Sequence, residues 1–312
     1  MIDVFRGEVL RSDFSTTLID YRDRASVLIW VVLMGLAAQR FVALPARTFT
    51  STLLGSPITL TVTDNTVLGV LLAGLVASGT EAVVRAHPRS LSRRIQRNRK
   101  SPSGSVFDAG EGIAWVAPTI RNHWVFWGLP IALVAVAVLM LPLAPSVVYW
   151  VIALILTGLA LGFSMAGIYY TIDPFQPGYR RARLGLNALT YAVALVLFLV
   201  VYRTRVRSIV SATEVLVISG LLALELLRGS ERPLVLVALY ASITGFVLGQ
   251  ATWALNYWRL DSLTGGLVLL VVFYNAVGLS QHGLQGRIRR RVLLEYGLIT
   301  LAAMALIWEF AP

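Results

Sequence analysis

The chain has 312 residues, 57% of them hydrophobic and only 14% charged, with a formal net charge of +11 and no cysteine. Soluble domains carry about 25% charged residues, so this chain cannot cover a water-exposed surface, and bilayer is its expected solvent. Without cysteine there are no disulfides, thiolate nucleophiles or cysteine-ligated metals, and the only lysine, Lys100, lies in a polar stretch that excludes buried Schiff-base chemistry.

The basic excess is almost all arginine. In a soluble protein it would suggest nucleic acid. In a chain this apolar, arginines mark cytoplasmic loops and meet anionic lipid headgroups. The expected partners are therefore a bilayer with anionic headgroups and, beyond it, a protein partner or a second copy of the chain. Nucleic acid is not expected, and no residue pattern calls for a cofactor.

Residues 1–24 mix apolar positions with Asp3, Glu8, Asp13, Asp20 and Asp23. They lack the basic start of a signal peptide and read as an interfacial segment. A membrane span needs about 20 mainly apolar residues. Nine runs come close: 25–44, 66–86, 123–143, 147–170, 185–203, 208–227, 234–256, 262–282 and 292–310. Gln39 and Arg40 interrupt the first and Glu309 ends the last, so these two are the weakest. The fold class expected is all-α, a polytopic integral membrane bundle of about nine transmembrane helices forming one domain over 25–312. Ile58-Thr-Leu60-Thr-Val62-Thr alternates with period two, which predicts a short external hairpin within 46–63. Residues 87–122 read as a basic cytoplasmic loop, too short for a core of its own. No glycine-rich phosphate loop is present.

Arginine placement sets orientation. Arg85, Arg89, Arg93, Arg94, Arg97 and Arg99 crowd one loop, Arg180, Arg181 and Arg183 a second, and Arg287, Arg289, Arg290 and Arg291 a third. All fall in the cytoplasm if the N-terminus is cytoplasmic and the C-terminus outside. Arg203, Arg205 and Arg207 then face outward, against the rule. Arg180, Arg181, Arg289, Arg290 and Arg291 are the candidate contacts to lipid headgroups. The setting expected is the cytoplasmic membrane of a bacterium.

Two acids stand out in the sixth run. Glu214 and Glu225 are eleven residues apart, which is three helical turns, so they share a face with Ser211, Ile218 and Leu221. Glu225 precedes Arg228 by three residues, the spacing of an ion pair on one helix. Glu214 lies roughly 10 Å into its span, counted from Arg207 at 1.5 Å per residue. A charged acid facing lipid is costly, so Glu214 is expected to point inward, paired with an arginine of 203–207 or serving as a protonatable site. Glu81 with Arg85, and Arg291 with Glu295, are spaced as ion pairs one turn apart.

Small and polar residues form stripes further on. Ser242, Gly245, Gly249, Thr252 and Asn256 recur at spacings of three and four in the seventh run, and Asn275, Gly278, His282 and Gln285 do so in the eighth. Close helix packing accounts for the glycines, and a polar seam between the two helices is the functional reading. Gly158 and Gly162 repeat the packing pattern in the fourth run. Gly162-Phe-Ser164-Met-Ala166 has a nucleophile-like spacing, but a serine on a helix normally bonds a preceding carbonyl. His87, His123 and His282 lack zinc-ligand spacing.

The function these residues support is transporter-like handling of a small or lipidic solute through the polar seam, with Glu214 as protonatable site and Asn256, Asn275 and His282 along the path. The alternatives are a non-catalytic assembly subunit, and a membrane enzyme acting on a phosphate-bearing lipid at the cytoplasmic arginines.

Overall fold

A computed structural model describes residues 21–41, 47–53, 56–62, 64–85, 123–173, 178–204, 208–230, 232–258, 260–287 and 289–310. The protein is a polytopic helical membrane bundle. Helix α1 covers residues 21–38. A two-stranded antiparallel ladder follows, β1 (Arg47–Leu53) pairing with β2 (Ser56–Val62), with Phe49 opposite Leu60. The period-two segment lies in β2. Next come α2 (Asp64–Arg85), a 3-10 turn (His123–Trp127), α3 (Gly128–Met140) and α4 (Val147–Thr171). The chain continues through α5 (Tyr179–Thr204), α6 (Ser208–Leu227), α7 (Leu234–Leu255), α8 (Ser262–Leu284) and α9 (Arg290–Phe310). In lipid every backbone polar group needs a partner within the protein, and a helix supplies that partner inside one segment.

Helices occupy all nine apolar runs, and among the described residues seven are long and apolar enough to cross a membrane: Thr66–Arg85, Trp124–Leu143, Val147–Thr171, Tyr179–Arg203, Val210–Leu227, Leu234–Leu255 and Ser262–Leu284. Arg22, Asp23 and Arg24 occupy the first turn of α1, while Arg290, Arg291, Glu295 and Glu309 are spread along α9. The interfacial segment 1–24 and the basic loop 87–122 fall mostly outside the described residues, as does His87.

The chain divides into two compact units: residues 1–101 with 133–176, and residues 102–132 with 177–312. In the first unit α1 packs through glycine contacts. Leu28 lies on Gly79 of α2, and Leu33 and Ile29 lie on Gly158 and Gly162 of α4. The Tyr21 and Tyr169 rings stack with centroids 4.3 Å apart. Gln39 Nε2 donates to the Val138 carbonyl at 3.2 Å, and the Arg40 guanidinium lies 5.6 Å from the Trp150 ring. The polar residues that interrupt the first run are thus placed at the end of its helix. The Arg85 guanidinium donates to Glu81, as the one-turn spacing predicts.

The second unit contains α5 to α9. Short connections make sequential helices antiparallel neighbours, and α6 with α7 is the most extensive pair. A Cβ on Gly245 would meet the Leu216 carbonyl oxygen at 2.5 Å and the Gly220 Cα at 3.1 Å, and one on Gly249 would meet the Ala212 carbonyl at 3.1 Å. The glycine stripe of α7 therefore allows backbone-to-backbone approach to α6. With this alternation, the starts of α5, α7 and α9 and the ends of α6 and α8 share one end of the unit. Arg180, Arg181, Arg183, Arg228, Arg232, Arg287, Arg289, Arg290 and Arg291 all lie there.

Candidate functional site: an interhelical groove and a buried charge clamp

Glu225 is fully buried near the end of α6. A buried charge needs a partner and further hydrogen bonds. Arg228, one turn on and itself buried, donates from Nε to Glu225 Oε1 at 2.8 Å, the pair its spacing predicts. A second arginine arrives from another helix. Arg183 Nη1 lies 3.4 Å from Glu225 Oε1, and Arg183 Nη2 donates to the backbone carbonyls of Glu225 at 2.9 Å and Leu226 at 2.8 Å. These carbonyls belong to the last turn of α6, where no intrahelical donor remains and where a cation complements the helix dipole. Arg183 thereby caps α6 from α5. The Arg228 guanidinium also stacks on Phe126, 4.6 Å from the ring centroid, and Gly128 lets its helix approach the Leu221 carbonyl. The assembly is a structural clamp. Arg180 and Arg181, in the same run of sequence, are exposed, because only one face of α5 meets α6.

Glu214, three turns earlier on α6, is half-buried and makes no hydrogen bond or ion pair with a described residue. Of its expected partners in 203–207, Arg203 is exposed and makes no ion pair with Glu214, and Arg205 and Arg207 lie outside the described residues.

Between α7, α8 and α9 lies an open groove of about 590 Å³, within the 300–1,000 Å³ typical of small-molecule sites. Its walls are mainly apolar, with Val247 from α7, Val272 and Leu279 from α8 and Leu293 from α9. Its polar groups come singly. Thr244 Oγ1 donates to the Tyr240 carbonyl at 2.9 Å and accepts from Ser280 Oγ at 3.1 Å, which bridges α7 to α8. Thr300 Oγ1 donates to the Tyr296 carbonyl at 2.7 Å. Asn275 Nδ2 donates to the Val271 carbonyl at 2.7 Å, while its Oδ1 is buried and has no partner among the described residues.

Tyr296 positions α9 over the groove. Its ring occupies the space a side chain would take at Gly278, and its neighbours are Tyr274 at 5.8 Å and the edge of His282 at 5.9 Å. The glycine of the α8 stripe thus receives an aromatic ring from α9. His282, in the last turn of α8, reaches the site only through Tyr296 and is not a wall residue. Its Nδ1 is buried without a partner among the described residues.

The four path candidates are therefore separated. Asn275 lines the groove, His282 adjoins it, and Glu214 and Asn256 do not line it. Asn256 is the C-cap of α7, held by its N–H to the Thr252 carbonyl at 3.0 Å. The polar contact between α7 and α8 is made by Thr244 and Ser280, not by the stripe of Ser242, Gly245, Gly249, Thr252 and Asn256, whose glycines turn to α6. Thr244, Ser280 and Tyr296 carried no distinctive sequence signal, since isolated hydroxyls and a tyrosine are ordinary in spans. Arg289, Arg290 and Arg291 are exposed at the start of α9, and Glu295 does not pair with Arg291 as its spacing predicts. Among the described residues no cluster of three or more histidines and carboxylates is arranged to hold a metal.

A protein family described as a protein of unknown function, DUF5656, matches residues 44–309, which takes in the groove and the clamp. The chain belongs to this family. No curated protein matches it, and no solved structure matches it. The DUF5656 match begins ahead of β1 and ends within α9, so the clamp, the glycine contact of α6 with α7 and the groove all fall inside the family region.

Proposed function

We propose that this protein handles a lipidic solute, in the manner of a transporter, through the groove between α7, α8 and α9. The observation that carries the reading is the groove itself. It lies against the membrane-spanning helices α7 and α8, is walled mainly by apolar side chains and counts Asn275 among its lining residues. A chain-bearing molecule can enter such a site sideways from the bilayer without exposing its apolar part to water. Glu214 is the protonatable position on the neighbouring α6 through which uptake or release would be coupled to a proton. The arginine-bearing end of the second unit faces the cytoplasm of a bacterial plasma membrane, as the positive-inside rule favours.

Gly297 supplies the test. A Cβ built there meets nothing within 4 Å, and the residue lines the groove. Gly297→Leu therefore fills the space from within, and it gains about 1 kcal/mol of helix propensity. The expected result is a variant with a thermal midpoint at or above the parent's that no longer retains a discrete lipid-like species in native mass spectrometry after mild solubilisation. Equal retention by the variant would refute the groove as the binding site. A stoichiometric partner polypeptide in place of a small molecule would favour the assembly-subunit reading.

A further inference from the structure

The groove walls do not by themselves select a solute. Lipid tails are as apolar as leucine and valine side chains, so a chain gains little by leaving bulk lipid for this site. Selection has to come from polar groups. Within the groove Thr244, Ser280 and Thr300 are already engaged, and the other polar lining residues are Asn275, Tyr240 and Tyr296. Just beyond the groove the situation differs. Leu293, a wall residue, follows Arg289, Arg290 and Arg291 by two to four residues, about 3–6 Å along the helix at 1.5 Å per residue. Tyr240, which packs on Gly283, closes the same end of the groove from α7.

The geometry of this end is built by the backbone. Gly286 has φ +67, a left-handed conformation that suits glycine. Its N–H donates to the Gly283 carbonyl at 3.0 Å, and the Arg287 N–H donates to the His282 carbonyl at 3.0 Å. That pair of bonds is the Schellman closure of a helix. It turns the chain so that α9 begins within a few residues, with Arg287, Arg289, Arg290 and Arg291 at its start, the end on which Leu293 and Tyr240 line the groove. All four are exposed, and none is paired with an acid among the described residues. The nearest carboxylate in sequence, Glu295, is exposed one turn along α9 and leaves them uncompensated.

We infer that the solute of this groove is an anionic, phosphate-bearing lipid, its chain between α7, α8 and α9 and its phosphate at Arg287, Arg289, Arg290 and Arg291. The inference rests on the groove reading above and adds the headgroup class. Guanidinium groups match phosphate oxygens in pairs, and the distance from Leu293 to the arginines is that of a few bonds between a chain and its phosphate.

Arginines at a membrane surface also attract anionic lipid without any groove, so the test separates the two. The full chain, purified in mild detergent, is titrated with phosphatidylglycerol and with phosphatidylcholine of matched chains, and bound lipid is counted by native mass spectrometry. Phosphatidylglycerol is expected to bind at least tenfold tighter. Arg289→Gln, Arg290→Gln and Arg291→Gln combined should weaken it by up to about a hundredfold, at roughly fivefold per arginine. The corresponding lysine substitutions should restore most of the preference, which a role in folding alone would not do. Gly297→Leu should remove discrete binding of both lipids.

If the glutamine variant binds phosphatidylglycerol unchanged while Gly297→Leu does not, the groove stands and the anionic headgroup is overturned. If the arginines matter and Gly297→Leu has no effect, the attraction is at the surface only and the proposal is overturned. If neither substitution changes binding, the groove reading falls with it. Displacement of phosphatidylglycerol by inorganic phosphate at equal concentration would mean that free phosphate, not a lipid, is the ligand.

Discussion

Arg183→Met tests whether α5 caps α6. Methionine keeps a long apolar stem and removes the guanidinium. The loss includes two charge-assisted hydrogen bonds, to the Glu225 and Leu226 carbonyls at 2.9 and 2.8 Å. Such bonds contribute about 1.5–3 kcal/mol each. Removing one partner of a buried ion pair costs about 3–5 kcal/mol, but Glu225 keeps Arg228 at 2.8 Å. The expected destabilisation is therefore about 3 kcal/mol, read from reversible unfolding in mixed micelles. The 3.4 Å separation between Arg183 Nη1 and Glu225 Oε1 is long for a charge-assisted bond, so most of the contribution of Arg183 lies in the carbonyls. In a double-mutant cycle of Arg183→Met with Glu225→Gln, the coupling should be about 1 kcal/mol or less, at the low end for contacting residues. A cost below about 1 kcal/mol for Arg183→Met would refute the cap. A coupling above about 2 kcal/mol would show that the carboxylate, and not the helix end, is what Arg183 serves.

Gly245→Val places two methyl groups where the Leu216 carbonyl and the Gly220 Cα already lie. Backbone cannot move aside as a side chain can, so the cost should reach about 3 kcal/mol, the upper end for overpacking; an unfolding midpoint within error of the parent would contradict the close α6–α7 approach. Glu214→Gln is expected to leave folding and thermal midpoint intact and to abolish proton flux into proteoliposomes, followed with an entrapped pH dye. Flux equal to the parent's would remove Glu214 from the proposed cycle, and loss of the folded protein would identify a structural pair.

The helices were legible because lipid imposes one strong rule, a long apolar run whose backbone satisfies itself. All nine runs became helices. Local pairs were legible for a similar reason. Glu81 with Arg85 and Glu225 with Arg228 lie one turn apart, and helix geometry brings them together. Glu295 shows the limit of that argument, since spacing permits a pair that exposed side chains at the start of α9 do not make. Contacts between helices could not be read. The glycines of α7 announced a close neighbour but not whether it was α6 or α8. Arg183 looked no different from Arg180 and Arg181, because its role depends on which face of α5 meets the end of α6. Gly278 and Tyr296 form a fitted pair only once α9 is laid on α8.

The position of Arg228 bears on how the protein reaches the membrane. An isolated acid or arginine at the centre of an inserting helix costs about 2.5–3.5 kcal/mol. Glu225 and Arg228 are carried within one turn of the same chain and sit near one end of α6. The carboxylate therefore enters the bilayer already accompanied, before any other helix has to be found. Arg183, made earlier in synthesis on α5, then arrives by packing rather than by insertion, so it can act as a checkpoint. A second unit with α5 and α6 wrongly placed would leave the end of α6 uncapped and the Arg183 guanidinium without its carbonyls.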